Sequence, residues 1–493
     1  MSSTAGRPRI YIIGAGFAGR SIAEEIRSKG TAGEVVAFLD DDPAKIGRRI
    51  DNVPVLGPIA DVVDLLEKTP ADEALIAIPS AGRDKLKYLY DLLKRATFSR
   101  IRILPDLAQI IDGEAHLIQA REIDPQDLLG RNPVRIGLKE SLTYLRGRRV
   151  LITGAGGSIG SELARQLLSG GAERLYLLGH GENSIYEIDR ELRVLQEEGV
   201  GERATIVPII ADLRDRDHIF FLMNRLKAHV VFHAAAHKHV PMLEANPVEA
   251  ISNNVFGTLN LLDAAREVGT ERLVFISTDK TVEPAGVYGA GKKIAEELVL
   301  AASAPDSEFL VVRFGNVLGA RGSIVPLFAK QIARGGPVTV TDPETSRYFM
   351  TIAEAASLVL KAGGVGAGGG LYLLDMGEPL KIREIAEQMI RFYGYTPMED
   401  IQITTIGLRP GEKLHERLYG DEETPRETAF TRILLLERRN WPPERLPNLL
   451  KQLRPMCFCT PEHPELYRNR RELKRVLAEY IPSLEVPADE SDY

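Results

Sequence analysis

Short apolar, β-branched runs alternate with amphipathic helical stretches along most of the chain. Twice the alternation starts the same way, with an apolar run, a glycine-rich turn and then a helical pattern. In the first instance Ile10-Tyr11-Ile12-Ile13 leads into Gly14-Ala15-Gly16-Phe17-Ala18-Gly19 and the helix-forming stretch SIAEEIRSKG. Further strands are predicted at Val35–Leu39, Ala74–Ile78 and Ile101–Leu104. The second instance starts at Val150-Leu151-Ile152-Thr153, with strands predicted at Leu175–Leu178, Ile206–Ala211, Val230–His233, Leu273–Ser277 and Leu310–Phe314. Strands separated by helices give the βαβ rhythm of a parallel sheet, and the six of the second set suffice for a doubly wound one.

The expected fold class is therefore α/β, with two Rossmann-like, doubly wound parallel-sheet domains. From about residue 315 the rhythm loosens into glycine- and proline-broken elements with helices such as IREIAEQMIRFYG, as in a smaller substrate-binding lobe built on the strand ends. The expected organisation is a first domain over 1–130, a linker over 131–147, a cofactor-binding and catalytic domain over 148–425, and a helical extension over 426–493. Pro125 and Pro133 mark the segment Asp124 to Arg146 as linker and approach helix, and the acidic tail EVPADESDY reads as disordered.

Composition narrows the function. The 493 residues are about three times a typical domain length of roughly 150. With 62 Lys+Arg against 69 Asp+Glu the net charge is −7, and no basic block is dense enough to track a phosphate backbone, which argues against nucleic acid. The two cysteines, Cys457 and Cys459, form a C-x-C too tight for an ordinary disulfide and too poor in thiols for a closed zinc site, in keeping with a reducing cytoplasm. The first residues lack a signal-peptide core, and no run approaches the roughly 18 to 20 apolar residues of a spanning helix, so a soluble, cytoplasmic protein without a membrane span is expected.

The two glycine turns differ. Gly14-x-Gly16-x-x-Gly19 follows a strand, opens a helix and is trailed 40 − 19 = 21 residues later by Asp40, the spacing of a dinucleotide fingerprint. Its glycines either bring backbone N–H groups to a pyrophosphate at the helix N-terminus or merely allow a tight turn, and Asp40 either accepts from a ribose hydroxyl or heads an acidic turn before Pro43. The second turn runs Thr153-Gly154-Ala155-Gly156-Gly157-Ser158-Ile159-Gly160, a T-G-x-x-G-x-x-G spacing read as cofactor-binding through Gly154, Gly157, Ser158, Ile159 and Gly160. Asp212-Leu213 after the third strand falls beside an adenine or caps the strand end. Ala234-Ala235-Ala236 after the fourth leaves room for a cofactor or for tight packing. No acid ends the second strand, where Gly179-His180-Gly181 stands instead, and no arginine lies nearby in sequence, so NAD and NADP both stay open.

At the end of the fifth strand stand Ser277-Thr278-Asp279-Lys280, followed by Tyr288-x-x-x-Lys292. That spacing puts Tyr288 and Lys292 one helical turn apart on one face. A tyrosine acting as base near neutral pH must fall from a pKa of about 10 to about 7, worth roughly 4 kcal/mol, which a neighbouring ammonium and a positively charged nicotinamide ring can supply. Asp279-Lys280 adds an acid and an amine, enough to protonate a departing hydroxyl and remove a carbon-bound proton. His233, His237 and His239 in HAAAHKHVP lack a completing carboxylate, so no metal is expected. With Lys238 they shape a site wall or cap a strand end.

From about Arg148 to Leu418 the chain resembles the UDP-N-acetylglucosamine 4,6-dehydratase family, the polysaccharide-biosynthesis and capsule branch of the extended short-chain dehydrogenase/reductases. The resemblance rests on TGAGGSIGSELARQL, HAAAHKHVPMLEANPVEAISNNVFGTLN, STDKTVEPAGVYGAGKK, RFGNVLGARGSIVPLF, SRYFMT and GLRPGEKLHE. The N-terminal 130 residues resemble the extra Rossmann-like domain of long members, and VVAFLDDDP…VPVLG is also similar to sugar-nucleotide acyltransferase N-terminal domains. Long members usually carry membrane helices, which this chain lacks, and many have methionine where Tyr288 stands.

The resemblance implies a hydro-lyase with tightly bound, recycled NAD or NADP acting on UDP-N-acetylglucosamine or a related UDP-sugar, in a homo-oligomer. It implies catalytic roles for Thr278, Asp279, Lys280, Tyr288 and Lys292, the last two also at the cofactor. Asn316, Arg347, Arg409 and Glu412, with Lys238, would line the nucleotide-sugar cleft, the arginines binding a diphosphate or forming surface ion pairs. A UDP-sugar 4-epimerase and a non-catalytic regulator that senses NAD(P) or nucleotide-sugar remain alternatives.

Overall fold

The computed structural model describes residues 7–29, 33–104, 121–122, 142–201, 203–487 and 490–491. The chain divides into two compact units, Met1–Gly137 with Leu195–Val200, and Leu138–Val194 with Gly201–Tyr493. The approach helix expected before residue 146 lies mostly outside the described residues, which show only a short 3₁₀ turn at Thr143–Leu145.

In the first unit the strands are β1 (Arg9–Ile13), β2 (Glu34–Leu39), β3 (Arg49–Ile50), β4 (Val53–Gly57), β5 (Glu73–Ile76), β6 (Arg100–Ile103) and β7 (Arg121–Glu122). They form one sheet in the order β3-β4-β2-β1-β5-β6-β7, parallel from β4 to β6 with an antiparallel strand at each edge. The unbroken apolar run of β1 has a geometric cause. Side chains alternate across a strand, so Ile10 and Ile12 pack with Ile22 and Ile26 of the helix Phe17–Lys29. Tyr11 and Ile13 pack on the other face with Leu86, Leu89 and Leu93 of the helix Arg83–Arg95. A strand covered on both faces needs apolar residues at every position.

The second unit has a nine-stranded sheet. Its strands are β8 (Arg149–Thr153), β9 (Arg174–Gly179), β10 (Thr205–Ile210), β11 (Val230–His233), β12 (Arg272–Ile276), β13 (Glu308–Arg313), β14 (Leu371–Leu374), β15 (Glu423–Glu427) and β16 (Ile433–Arg438). The order is β10-β9-β8-β11-β12-β13-β14-β16-β15, parallel as far as β14 and antiparallel beyond. All six strands expected from the apolar runs are present. The order reverses at β8, so the crevice beside β8 and β11 is the topological switch point where ligands bind in such sheets.

Two expectations about the C-terminal part change. The segment after 425 is not simply a helical extension, because β15 spans that point and β16 completes the sheet before the helices Arg445–Cys457 and Arg470–Tyr480. The acidic tail is also not free at Glu490. Its carboxylate is buried, accepts from Lys474 Nζ at 2.6 Å and pairs with Arg470 at 2.5 Å. Desolvation of Lys474, itself 4 % exposed, makes an acidic partner there favourable. No helix among the described residues is long and apolar enough to cross a membrane.

Candidate active site

The turn after β8 is shaped by close approach. Gly154 has φ +68°, and a Cβ there would stand 2.7 Å from the Ala235 nitrogen and 2.9 Å from the Ala234 carbonyl carbon. A Cβ on Gly160 would collide with the Gly154 carbonyl oxygen. Only glycines let this turn lie against the segment after β11, and Ala234 and Ala235 are small for the same contact. The turn opens the helix Ser158–Ser169, whose N-cap, Gly157, supplies no side-chain cap. The first N–H groups of that helix lack intrahelical acceptors and carry the positive end of its dipole, which fits a pyrophosphate.

The residues expected around this turn meet varied fates. Asp212 is held by Arg214 through three guanidinium contacts, Nε at 3.0 Å to each oxygen and Nη2 at 2.5 Å. The Arg214 hydrogen bonds keep its carboxyl below the usual range. Leu213 is buried and packs in the core. His233 is a core residue, fully buried between Thr153 Oγ1 at 2.7 Å and Thr258 Oγ1 at 2.9 Å, with its pKa pushed down to about 3 by burial and by Lys292. The His237 N–H donates to Asn254 Oδ1 and its carbonyl accepts from Asn254 Nδ2, both at 2.9 Å, which pins the segment after β11. Among the described residues no three His, Cys, Asp or Glu side chains converge as metal ligands would.

An arginine missing from the local sequence does reach the turn. Arg321, 165 residues beyond Gly156, donates from Nη2 to the Gly156 carbonyl, and its N–H donates to Ser158 Oγ at 2.9 Å. Desolvation, reinforced by Arg321, pushes the Lys238 ammonium below its usual pKa.

The candidate catalytic groups gather at the ends of β12 and β13. Thr278 Oγ1 and Lys280 Nζ donate to the same atom, Asp279 Oδ1, at 3.0 and 2.9 Å. Lys280 Nζ also donates to Asn316 Oδ1 at 3.1 Å. Asp279 is fully buried, and its Oδ2 has no hydrogen-bond partner. Burial raises the Tyr288 phenol above its usual value, while Lys280 and a hydrogen bond with Thr278 pull it back.

Lys292 shares the Tyr288 face of the helix Val287–Ala302, but its ammonium donates to the Ile276 carbonyl at 2.5 Å and lies 3.8 Å from the centre of the Phe275 ring. Burial pushes its pKa down to about 7. In this arrangement the Lys280 charge pulls the Tyr288 phenol down, while the Lys292 ammonium is turned to the Ile276 carbonyl.

A buried network orients this cluster. Glu296, two turns beyond Tyr288 on the same helix, accepts from Ser277 Oγ at 2.6 Å and Thr281 Oγ1 at 3.1 Å, so the residues flanking Thr278 to Lys280 are held from one point. Arg313, fully buried at the end of β13, answers Glu296 at 2.8 Å and Glu423 at 2.7 Å. A buried charge is tolerated only when paired and hydrogen-bonded, and here every charge is.

The substrate-side residues divide. Asn316 joins the cluster through Lys280. Arg347 is turned to the loop 407–416, donating to the carbonyls of Ser346, Leu414 and Lys413 at 2.7, 2.9 and 2.6 Å, so in this arrangement it fixes the loop instead of offering a free fork to a diphosphate. Arg409 and Glu412 pair with each other at 2.5 Å on an exposed part of that loop. The loop delivers a residue that the sequence reading left inside a motif. Glu416, 8 % exposed, lies 3.8 Å from Lys280 Nζ and lines a cleft with Lys280, Tyr288, Lys413, Gly411 and Val240.

The first unit is arranged otherwise. Gly14 has φ +103°, and a Cβ at Gly19 would collide with the Gly14 carbonyl oxygen, as the fingerprint requires, but the anion at the turn is internal. Asp40 Oδ2 accepts from the Ala15 N–H at 2.7 Å and from Lys45 Nζ at 3.1 Å, and its Oδ1 accepts from the Asp42 N–H at 2.9 Å. Asp40 is thus occupied as the head of an acidic turn. A Cβ on Gly16 would meet nothing.

The second unit is thus a doubly wound α/β sheet with an open helix N-terminus at its switch point and a Thr-Asp-Lys-Tyr cluster on the neighbouring strand ends. Residues 150–438 match the model described as polysaccharide biosynthesis protein, and the chain belongs to that family. Residues 3–105 match a CoA-binding domain. The chain is 44% identical over 427 residues to the probable polysaccharide biosynthesis protein EpsC of Bacillus subtilis, covering 86% of this chain and 70% of that one. It is 31% identical over 283 residues to a UDP-N-acetylglucosamine 4,6-dehydratase (inverting) of Campylobacter jejuni, covering 56% and 79%. A UDP-glucose 4-epimerase of Rickettsia rickettsii stands at the same 31%, over 288 residues covering 56% and 79%. The family that the motifs resemble is the family found. Identity alone does not separate the last two reactions.

Proposed function

We propose that the second unit eliminates water from UDP-N-acetylglucosamine to give a UDP-4-keto-6-deoxy-N-acetylhexosamine for surface polysaccharide or glycan biosynthesis. The observation that carries this is the pair of buried Asp279 and half-buried Lys280, 2.9 Å apart beside Tyr288. An epimerase works at C4 alone and has no use for a second acid and amine, and a regulator needs none of the three.

Gly154, Gly157, Ser158, Ile159 and Gly160 would hold the cofactor. When bound, NAD(P)⁺ supplies a hydride acceptor that takes hydride from C4 and later returns it to C6. Tyr288, with Thr278 hydrogen-bonding beside it, takes the C4 hydroxyl proton. The resulting 4-ketone acidifies C5–H. The ion pair meets the substrate charged, and a proton passed from Lys280 Nζ to Asp279 Oδ1 along their hydrogen bond leaves a neutral amine and a neutral acid. Lys280 then takes the C5 proton, and Asp279 gives its proton to the C6 oxygen, which leaves as water. Hydride return to C6 would leave an enolate that takes a solvent-exchanged proton at C5 from Lys280, and the proton gained by Tyr288 would then restore the Lys280 ammonium, so that tyrosine, amine and carboxylate end as they began. Asn316, as acceptor, holds the amine toward the sugar.

The test is proton NMR of the purified protein with UDP-N-acetylglucosamine in deuterated buffer. A new C6 methyl signal with deuterium at C5 is expected. Conversion to the C4 epimer without C5 exchange would assign the chemistry to an epimerase.

A further inference from the structure

Arg347 and Glu416 extend the reacting pair into a row of alternating charge. Asp279 Oδ1 lies 2.9 Å from Lys280 Nζ, Lys280 Nζ lies 3.8 Å from Glu416 Oε1, and Glu416 Oε1 lies 3.9 Å from Arg347 Nε. Arg347 is anchored by three carbonyls and cannot swing away. Glu416 is buried, and its Oε2 has no hydrogen-bond partner. A carboxylate left half-satisfied in a buried cleft is costly, and it faces Lys280 on one side and Arg347 on the other.

We propose that Glu416 is a positioning residue that holds the Lys280 ammonium against Asp279 and so sets the charge with which the pair meets its substrate. The role rests on the lyase reading for its consequence in turnover, but the charge on Lys280 is measurable without any substrate. Burial disfavours the Lys280 ammonium, and Asp279 and Glu416 more than offset it, leaving its pKa above the usual lysine value. The charged and titratable groups around Lys280 are Asp279 beside it, Tyr288 on the following helix and Glu416 on the loop. Glu416 in turn faces Arg347 and Lys413. A carboxylate beside an ammonium favours the charged form, so its removal frees the amine at lower pH.

The experiment is reductive dimethylation of the full chain by formaldehyde and a borane across a pH series, with modification at Lys280 read by peptide mass spectrometry. Only the neutral amine reacts. In Glu416→Gln the Lys280 curve is expected to move to lower pH by about one unit, roughly a tenfold faster modification at a fixed pH below the midpoint. Glu416→Asp, which keeps the charge one methylene further back, should fall between Gln and wild type, and it carries the test if the Gln variant does not fold. A Lys280 curve unmoved in a folded Gln variant, or moved in Asp as far as in Gln, overturns the proposal. In turnover the acid limb of the pH profile should move the same way with little change in KM. If wild type fails to act on UDP-N-acetylglucosamine while the labelling shift is seen, the substrate reading falls and the role of Glu416 stands.

Discussion

The two glycine turns start from one pattern and end in opposite states. In the first, the acid that closes β2 folds back on the turn, so that Asp40 takes the Ala15 N–H and is itself neutralised by Lys45. In the second, Gly179 stands where that acid would be. The helix above the turn has no side-chain cap, and the candidate catalytic groups lie on the neighbouring strand ends. A turn that carries its own anion has spent part of the field that would bind a foreign one. The glycine spacing encodes the turn, and the acid beside it decides how much remains for a ligand.

The sharpest contrast is chemical. Lys280→Met should lower C5 deuterium exchange by two to four orders of magnitude, whereas Asp40→Asn should leave it within about twofold. NMR of exchange into UDP-N-acetylglucosamine measures both, and a large loss in the Asp40 variant would break the division between the turns.

Charged groups of both units have lowered pKa values, for different reasons: burial disfavours the Lys292 ammonium, whereas hydrogen bonds favour the Asp40 carboxylate. Lys292 has a folded pKa of about 7, below its unfolded value of about 10.4, so the unfolded chain binds more protons between them. Stability conferred by the second unit should therefore rise with pH across that window, by up to about 1.4 kcal/mol per pH unit. The rise should be absent from Lys292→Met, compared by urea unfolding at pH 7 to 10.

The middle glycines make a steric pair. A Cβ on Gly156 would stand 2.6 Å from the Ser184 Cβ and 2.7 Å from its backbone carbon, whereas one on Gly16 meets open space. Gly156→Ala should cost about 1 to 3 kcal/mol and Gly16→Ala less than about 0.5 kcal/mol, read from urea midpoints.

The smallest effect is the acid one. Hydrogen bonds from Asp42, Ala15 and Lys45 outweigh burial and hold Asp40 below the usual carboxylate range. Its stabilisation is then fully present above the unfolded pKa of about 3.9 and is lost as pH falls through the folded value. Asp40→Asn should cost about 1 to 2 kcal/mol at neutral pH, and the difference should vanish at the acid end. Hydrogen exchange of the peptides around β1 and β2 would show it.

Much of the active site was legible because its parts are local. Thr278, Asp279 and Lys280 are consecutive, and Tyr288 follows within a helical turn of the next element's start, so one strand end and one helix bring them together. Glu416, Arg321 and the Glu296–Arg313–Glu423 network were not legible, since each acts across 100 or more residues or from inside the core, where local spacing has no signal. Arg347 shows the converse. Its motif places it among the candidate cleft residues, but its guanidinium donates to the carbonyls of Ser346, Leu414 and Lys413, a partnership with no local signal in the sequence.

By itself the sequence determined the two parallel sheets, both glycine turns and the candidate quartet Thr278, Asp279, Lys280 and Tyr288, because apolar periodicity, glycine sterics and strand-end motifs are properties of neighbouring residues. Only the tertiary structure decided that Lys292 turns to the Ile276 carbonyl, that Glu416 comes within 3.8 Å of Lys280, and that Asp40 folds back on the first turn. Those outcomes depend on distances of a few ångströms between residues far apart in the chain, and on how much water burial removes from each charge.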